Sequence, residues 1–141
     1  MGFSLIASAA ILGVTLFLAV EIITGDLLPT IEGINSSYGD MNNRLKDLLH
    51  TDINISGATR AGTGANYTYN ISVENTGSVT LPTEEFKILI NGTEYQTTCN
   101  HLYLHPENTV VFQVENVTDA GVVRIKVITN NGIADYFTLG S

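Results

Sequence analysis

Phe3 to Val20 reads FSLIASAAILGVTLFLAV, with no charged side chain, and only Glu21 interrupts the apolar run before Gly25. An α-helix rises about 1.5 Å per residue, so roughly 20 such residues cross the hydrocarbon core of a bilayer. The run predicts a membrane-spanning helix. It has neither the basic n-region nor the small-x-small cleavage site of a secretory signal, so a retained anchor is expected. The remainder is polar and strand-patterned. The expected organisation is an anchor helix over 1–28, a helical stalk over 29–50, and one β-sandwich domain over 51–141 on the far side of the membrane.

Composition fits that division. A chain of 141 residues suits one domain plus its anchor, and the last 91 suffice for one two-layer core. The net charge of −8 argues against nucleic acid and against anionic lipid surfaces as partners of the domain. It is read as surface solubility, with an acidic recognition patch as the alternative. Cys99 is the single cysteine, which excludes an internal disulfide and predicts a half-buried free thiol.

Within the anchor, Ala9 and Gly13 stand four apart on one helix face, a spacing that lets two membrane helices approach closely. Glu21 is the sharper feature, because an ionisable group near the bilayer is costly unless hydrated or paired. Two placements fit it: residence at the interface, or a polar contact with a partner helix within the membrane. Lys and Arg are absent before the span and Arg44 and Lys46 follow it, which alone favours a cytoplasmic C-terminal part. Asn35, Asn54, Asn66, Asn70, Asn91 and Asn116 point the other way, since each opens an N-x-[ST] triplet. Chance placement gives about two or three such triplets at this composition, so a glycosylated exterior domain is expected.

Pro29 is expected to break or kink the chain as it leaves the membrane. Beyond the span, Leu27, Ile31, Ile34, Tyr38, Met41, Leu45 and Leu48 recur at alternating spacings of four and three. That is a coiled-coil seam held for about three heptads. Gly33 and Gly39 weaken the helix by roughly 1 kcal/mol each relative to Ala. The stripe suits either pairing with another anchored subunit or packing on the chain's own domain.

The rest alternates with period two. Ile53 and Ile55 share one face, as do Tyr67, Tyr69, Ile71 and Val73; then Phe86, Ile88 and Ile90; then Val110, Phe112 and Val114; then Val123, Ile125 and Val127. Asn91-Gly92 predicts a hairpin with Thr93–Thr97 returning, and Asn131-Gly132 a second leading to Ile133–Leu139. Seven short strands predict two packed antiparallel sheets, a mainly β, immunoglobulin-like sandwich. With no Trp and one Cys, the immunoglobulin disulfide pattern is absent, so the prediction concerns architecture alone.

Chemistry is not signalled. His101 and His105 lie near Cys99, but Cys-x-His-x3-His is not a standard zinc pattern. Nucleophile elbow, phosphate loop and paired acids are all missing, and Glu84-Glu85 reads as a solvated turn. Catalytic residues, metal ligands and cofactors are therefore not expected, and neither is an enzyme.

The order of parts resembles the archaeal flagellum (archaellum) accessory proteins F and G. The residues that carry the resemblance are Met1-Gly2-Phe3-Ser4 and the apolar helix, Thr51-Asp52-Ile53-Asn54-Ile55, Asn75-Thr76-Gly77-Ser78-Val79-Thr80-Leu81, Phe86 to Gly92, and Asn131 to Phe137. The opening leans toward F. The resemblance implies a stator part of a rotary motor, anchored in the cell membrane, with its β-domain in the extracellular space beneath the surface layer. Implied partners are the surface-layer protein, accessory protein G or a second copy of the chain, and membrane lipid around the helix. A fluid membrane cannot resist counter-torque, whereas a protein coat can. Two alternatives stay open: an archaellin- or pilin-like filament subunit, which would carry a basic leader before the apolar helix, and a membrane-tethered adhesion module.

Overall fold

A computed structural model describes residues 2–140, so Met1 and Ser141, the outermost residues of the expected anchor and domain, lie outside the described residues. The chain divides into two compact units between Arg44 and Leu45.

Residues 2–50 are helical: α1 (Gly2–Ile22), a π-helical turn (Ile23–Leu27) and α2 (Leu28–His50). Pro29 does not break the chain as expected, because the helix runs through it. A proline ring clashes with the carbonyl four residues earlier and supplies no N–H. Here the preceding turn is widened, with the Leu28 N–H bonding the Ile23 carbonyl five residues back. Pro29 thereby becomes the second residue of α2, where its missing donor is tolerated. Hydroxyls inside α1 are satisfied by their own helix: Ser8 Oγ donates to Ser4 O (2.8 Å) and Thr15 Oγ1 to Ile11 O (2.8 Å). Such back-bonding leaves no bare donor in an apolar surround.

The second unit is an antiparallel β-sandwich. Its strands are β1 (Ile53–Ala61), β2 (Tyr67–Asn75), β3 (Leu81–Pro82), β4 (Lys87–Ile90), β5 (Thr93–Tyr95), β6 (Thr97–Cys99), β7 (Tyr103–Leu104), β8 (Thr109–Val117), β9 (Val123–Ile128) and β10 (Ala134–Leu139). One sheet has the order β1-β2-β8-β6 and the other β10-β9-β4-β5, with β3 and β7 forming a two-stranded ribbon.

Ten strands stand where seven were expected. The run Thr93–Thr97 is not one return strand. It divides at Gln96, so that β5 pairs with β4 in one sheet while β6 pairs with β8 in the other. The strand expected over 51–56 runs on to Ala61, because a register shift between Ile55 and Gly57 resets the alternation. Asn91 (φ 50°) and Gly92 (φ 86°) both adopt the left-handed backbone of a two-residue hairpin. The second hairpin uses a three-residue loop in which Gly132 (φ 88°) alone is left-handed and Thr129 N donates to Ile133 O (2.8 Å).

The alternating residues meet between the sheets. Tyr69, Ile71, Val73, Phe112 and Val114 from the first sheet face Ile88, Ile90, Val123, Ile125 and Val127 from the second, all fully buried. Each contributes about 1.5–3 kcal/mol by leaving water. The Phe86 and Phe112 rings stack with centroids 5.1 Å apart. Tyr69 keeps its hydroxyl bonded to Asp119 O (2.8 Å), as a buried phenol requires.

Candidate functional site

A helix end grips the sandwich through residues that resemble a bare turn in sequence. The last carbonyls of a helix lack intrahelical donors. At the end of α2 the His50 carbonyl accepts from Ser78 N (2.8 Å), and the Asp52 carbonyl accepts from Thr76 N (3.0 Å) and Gly77 N (3.1 Å). Gly77 permits this approach. A Cβ there would collide with the His50 carbonyl oxygen and lie 2.5 Å from Asp52 N. Asn75 is fully buried and holds the turn, donating to Val79 O (2.7 Å) and Leu104 O (3.1 Å) while accepting from Gly77 N (3.0 Å). From the other sheet, Asn131 Nδ2 donates to Thr51 Oγ1 (2.6 Å), which donates to Asp47 O (2.6 Å). The segment Asn75–Ser78, read in sequence as a turn signature, is thus a clamp on the chain entering the domain.

The seam residues Leu27, Ile31, Ile34, Tyr38, Met41, Leu45 and Leu48 are all exposed, and no described side chain of α2 is buried. Gly33, Ile34, Ser37, Tyr38 and Met41 line a shallow groove along one side of α2. Glu21 is exposed one position before α1 ends.

The edges of the sandwich carry features that hinder strand addition. On β1 the Ile55 N–H donates to the Asp135 carboxylate from β10 (2.8 Å). On the opposite side the edge strands β5 and β6 are three residues each and joined through Gln96. Short edges and an inward carboxylate both resist strand addition.

The two outer faces differ in charge. The first sheet turns outward Asn54, Asn70, Ser72, Glu74, Gln113 and Glu115, with acids and amides and no Lys or Arg among them. The second turns outward Lys87, Leu89, Arg124, Lys126 and Tyr136. Arg124 Cζ lies 4.8 Å and Lys126 Nζ 5.2 Å from the Tyr136 ring centroid. Leu89, Asn91, Gly92, Arg124, Lys126 and Tyr136 line a depression of about 530 Å3. Lys87 bridges Glu94 (3.7 Å), the one salt bridge among the described residues, and both side chains are more than half exposed. This basic face gave a faint signal in sequence, namely two cations alternating with Val123, Ile125 and Val127.

The sequons fall on α2 (Asn35), on the first sheet (Asn54, Asn70, Asn116) and in two connections (Asn66, Asn91). Asn35, Asn54, Asn66, Asn91 and Asn116 are exposed and Asn70 is half-buried. Two of them also serve the backbone: Asn91 and Asn116 (φ 58°) hold left-handed positions. Asn91 Oδ1 also accepts from Arg124 N (2.9 Å). His101 and His105 are exposed, Glu84 and Glu85 lie exposed in a 3-10 turn, and Cys99 is a half-buried free thiol. Among the described residues no group of three or more His, Cys, Asp or Glu could hold a metal ion.

No protein-family model matches the chain, and no curated protein matches it. Solved structures do. The archaellum periplasmic stator protein FlaG from Sulfolobus acidocaldarius aligns with a TM-score of 0.53 and 19% identity, covering 63% of this chain and 99% of that one. The crystal structure of the CARDB domain of the PF1109 protein from Pyrococcus furiosus, in complex with di-metal ions, aligns with a TM-score of 0.44 and 20% identity, covering 64% and 93%. The likeness to FlaG shows a shared sandwich fold.

Proposed function

We propose that the chain is a non-enzymatic stator component of an archaellum motor. Its first helix is held in the cell membrane as a single span, and its sandwich stands in the extracellular space beneath a surface layer, which it grips. The observation that carries this is the order of parts on one chain. A part that resists torque needs a membrane anchor and a folded gripping domain on one chain, and this chain carries an apolar helix long enough to cross a membrane followed by a β-sandwich. Within the sandwich unit, the chain enters through backbone bonds of His50 to Ser78 and side-chain bonds through Thr51 and Asn131, which fix the entry strand on the domain. The shared fold with a protein named as an archaellum stator supports the same reading. So does the exposed stripe from Leu27 to Leu48, which suits a second anchored subunit, either accessory protein G or another copy. Glu21 then sits at the membrane boundary or against that partner's helix, and the exposed sequons carry glycans. Deleting the gene should leave filaments that form but do not turn, with rotation restored by the full chain. Swimming that persists after deletion would overturn the proposal.

A further inference from the structure

The outward face of β4, β9 and β10 is built to receive carboxylates. Residues 51–141 contain four Lys and Arg against nine Asp and Glu, yet three of the four cations, Lys87, Arg124 and Lys126, share this one face. Random placement on an acidic domain would scatter them. Register explains the cluster: Lys126 stands directly between Leu89 and Tyr136, and Arg124 lies diagonal to Tyr136. Arg124 and Lys126 are two residues apart on one strand, so their Cα atoms are about 7 Å apart and both side chains leave the same surface. Glu94 is the one acid in the row and it is paired to Lys87 (3.7 Å), and the nearby Asp119 carboxylate accepts from Asn91 Nδ2 (3.2 Å). Arg124 and Lys126 rest on the Tyr136 ring, which holds both long side chains upright while leaving their charges to solvent.

We infer that this face is a docking site for an acidic protein surface, with Arg124 and Lys126 receiving its Asp and Glu carboxylates and Tyr136 with Leu89 forming the apolar centre. Arg presents a planar fork matched to a carboxylate, and Tyr and Arg are the residues that dominate protein interfaces. The Asp135 carboxylate on β1 and the short edge strands β5 and β6 favour recognition by this face over strand addition. Charge complementarity selects an acidic partner and orients it onto this face, because the rest of the domain repels it. This inference rests on the stator proposal only in supplying that proposal's contact surface.

The test uses the full chain in uncharged detergent micelles, with poly-L-glutamate as the peptide carboxylate probe and polygalacturonate as a sugar carboxylate probe. Poly-L-glutamate should bind saturably and more weakly as salt rises. Arg124→Ala with Lys126→Ala should weaken binding at least tenfold, and Tyr136→Ala should weaken it with all three cations kept. Arg44→Ala with Lys46→Ala, on α2, should leave it unchanged. Equal losses for the two double variants, no binding by the wild type, or tighter binding of polygalacturonate through the same residues would each overturn the inference. A thermal melt confirms that the outward substitutions leave the fold intact. Surface-layer protein that still binds the Arg124→Ala, Lys126→Ala variant would overturn this site while leaving the stator proposal standing.

Discussion

The sandwich and the helices treat their apolar residues in opposite ways. Among the described residues, 17 apolar side chains of the sandwich are buried to 5% exposure or less, while α1 and α2 bury none. The sandwich finds its core within itself. The two helices also differ from each other. α1 is apolar on every side, as a helix surrounded by lipid must be, whereas α2 carries its apolar residues in one stripe on an otherwise polar surface. The first has the length and composition of a membrane span, and the second has the stripe of a coiled-coil seam.

This contrast can be broken by substitution. The largest effect should come from Phe112→Ala, which removes a fully buried ring stacked on Phe86 and should cost about 3–5 kcal/mol in a denaturant melt of the sandwich. A near-neutral result would mean the core is not packed as described. Gly77→Ala should come next. Its methyl has only backbone to displace at His50 and Asp52, and repacking of that kind costs roughly 1–3 kcal/mol. Faster hydrogen exchange at Ser78 N–H would localise the damage to the clamp.

Smaller changes sharpen the helical side of the comparison. Gly39→Ala meets open space and should stabilise α2 by about 1 kcal/mol, seen as greater protection of its amides. Ile34→Ser with Leu45→Ser should shift sandwich stability by no more than about 0.5 kcal/mol, because neither side chain is buried. The same pair should abolish co-purification of a second anchored subunit. Intact assembly would remove the stripe as a pairing surface.

Much of this was legible in the chain. Tyr67 to Val73 alternates cleanly because the strand is buried on one face, and Asn91-Gly92 announces its turn because few other pairs tolerate that backbone. The switch of sheets at Gln96 was not legible, since a strand of three residues is too short to show a period. Nor was the continuity through Pro29, which depends on a π turn that no residue type demands. The clamp escaped for another reason. Asn75 to Ser78 reads as any polar turn, and its role exists only through His50 and Asp52, more than twenty residues earlier. The basic face is hidden likewise, being assembled by register from Lys87, Arg124 and Lys126 on two strands.

The most direct measurement is a pull-down of surface-layer protein by the full chain in detergent micelles, titrated to saturation over a salt series. The stator account predicts saturable binding that requires the folded sandwich and is lost when the sandwich is unfolded by denaturant. No binding by a chain whose sandwich melts cooperatively would contradict it.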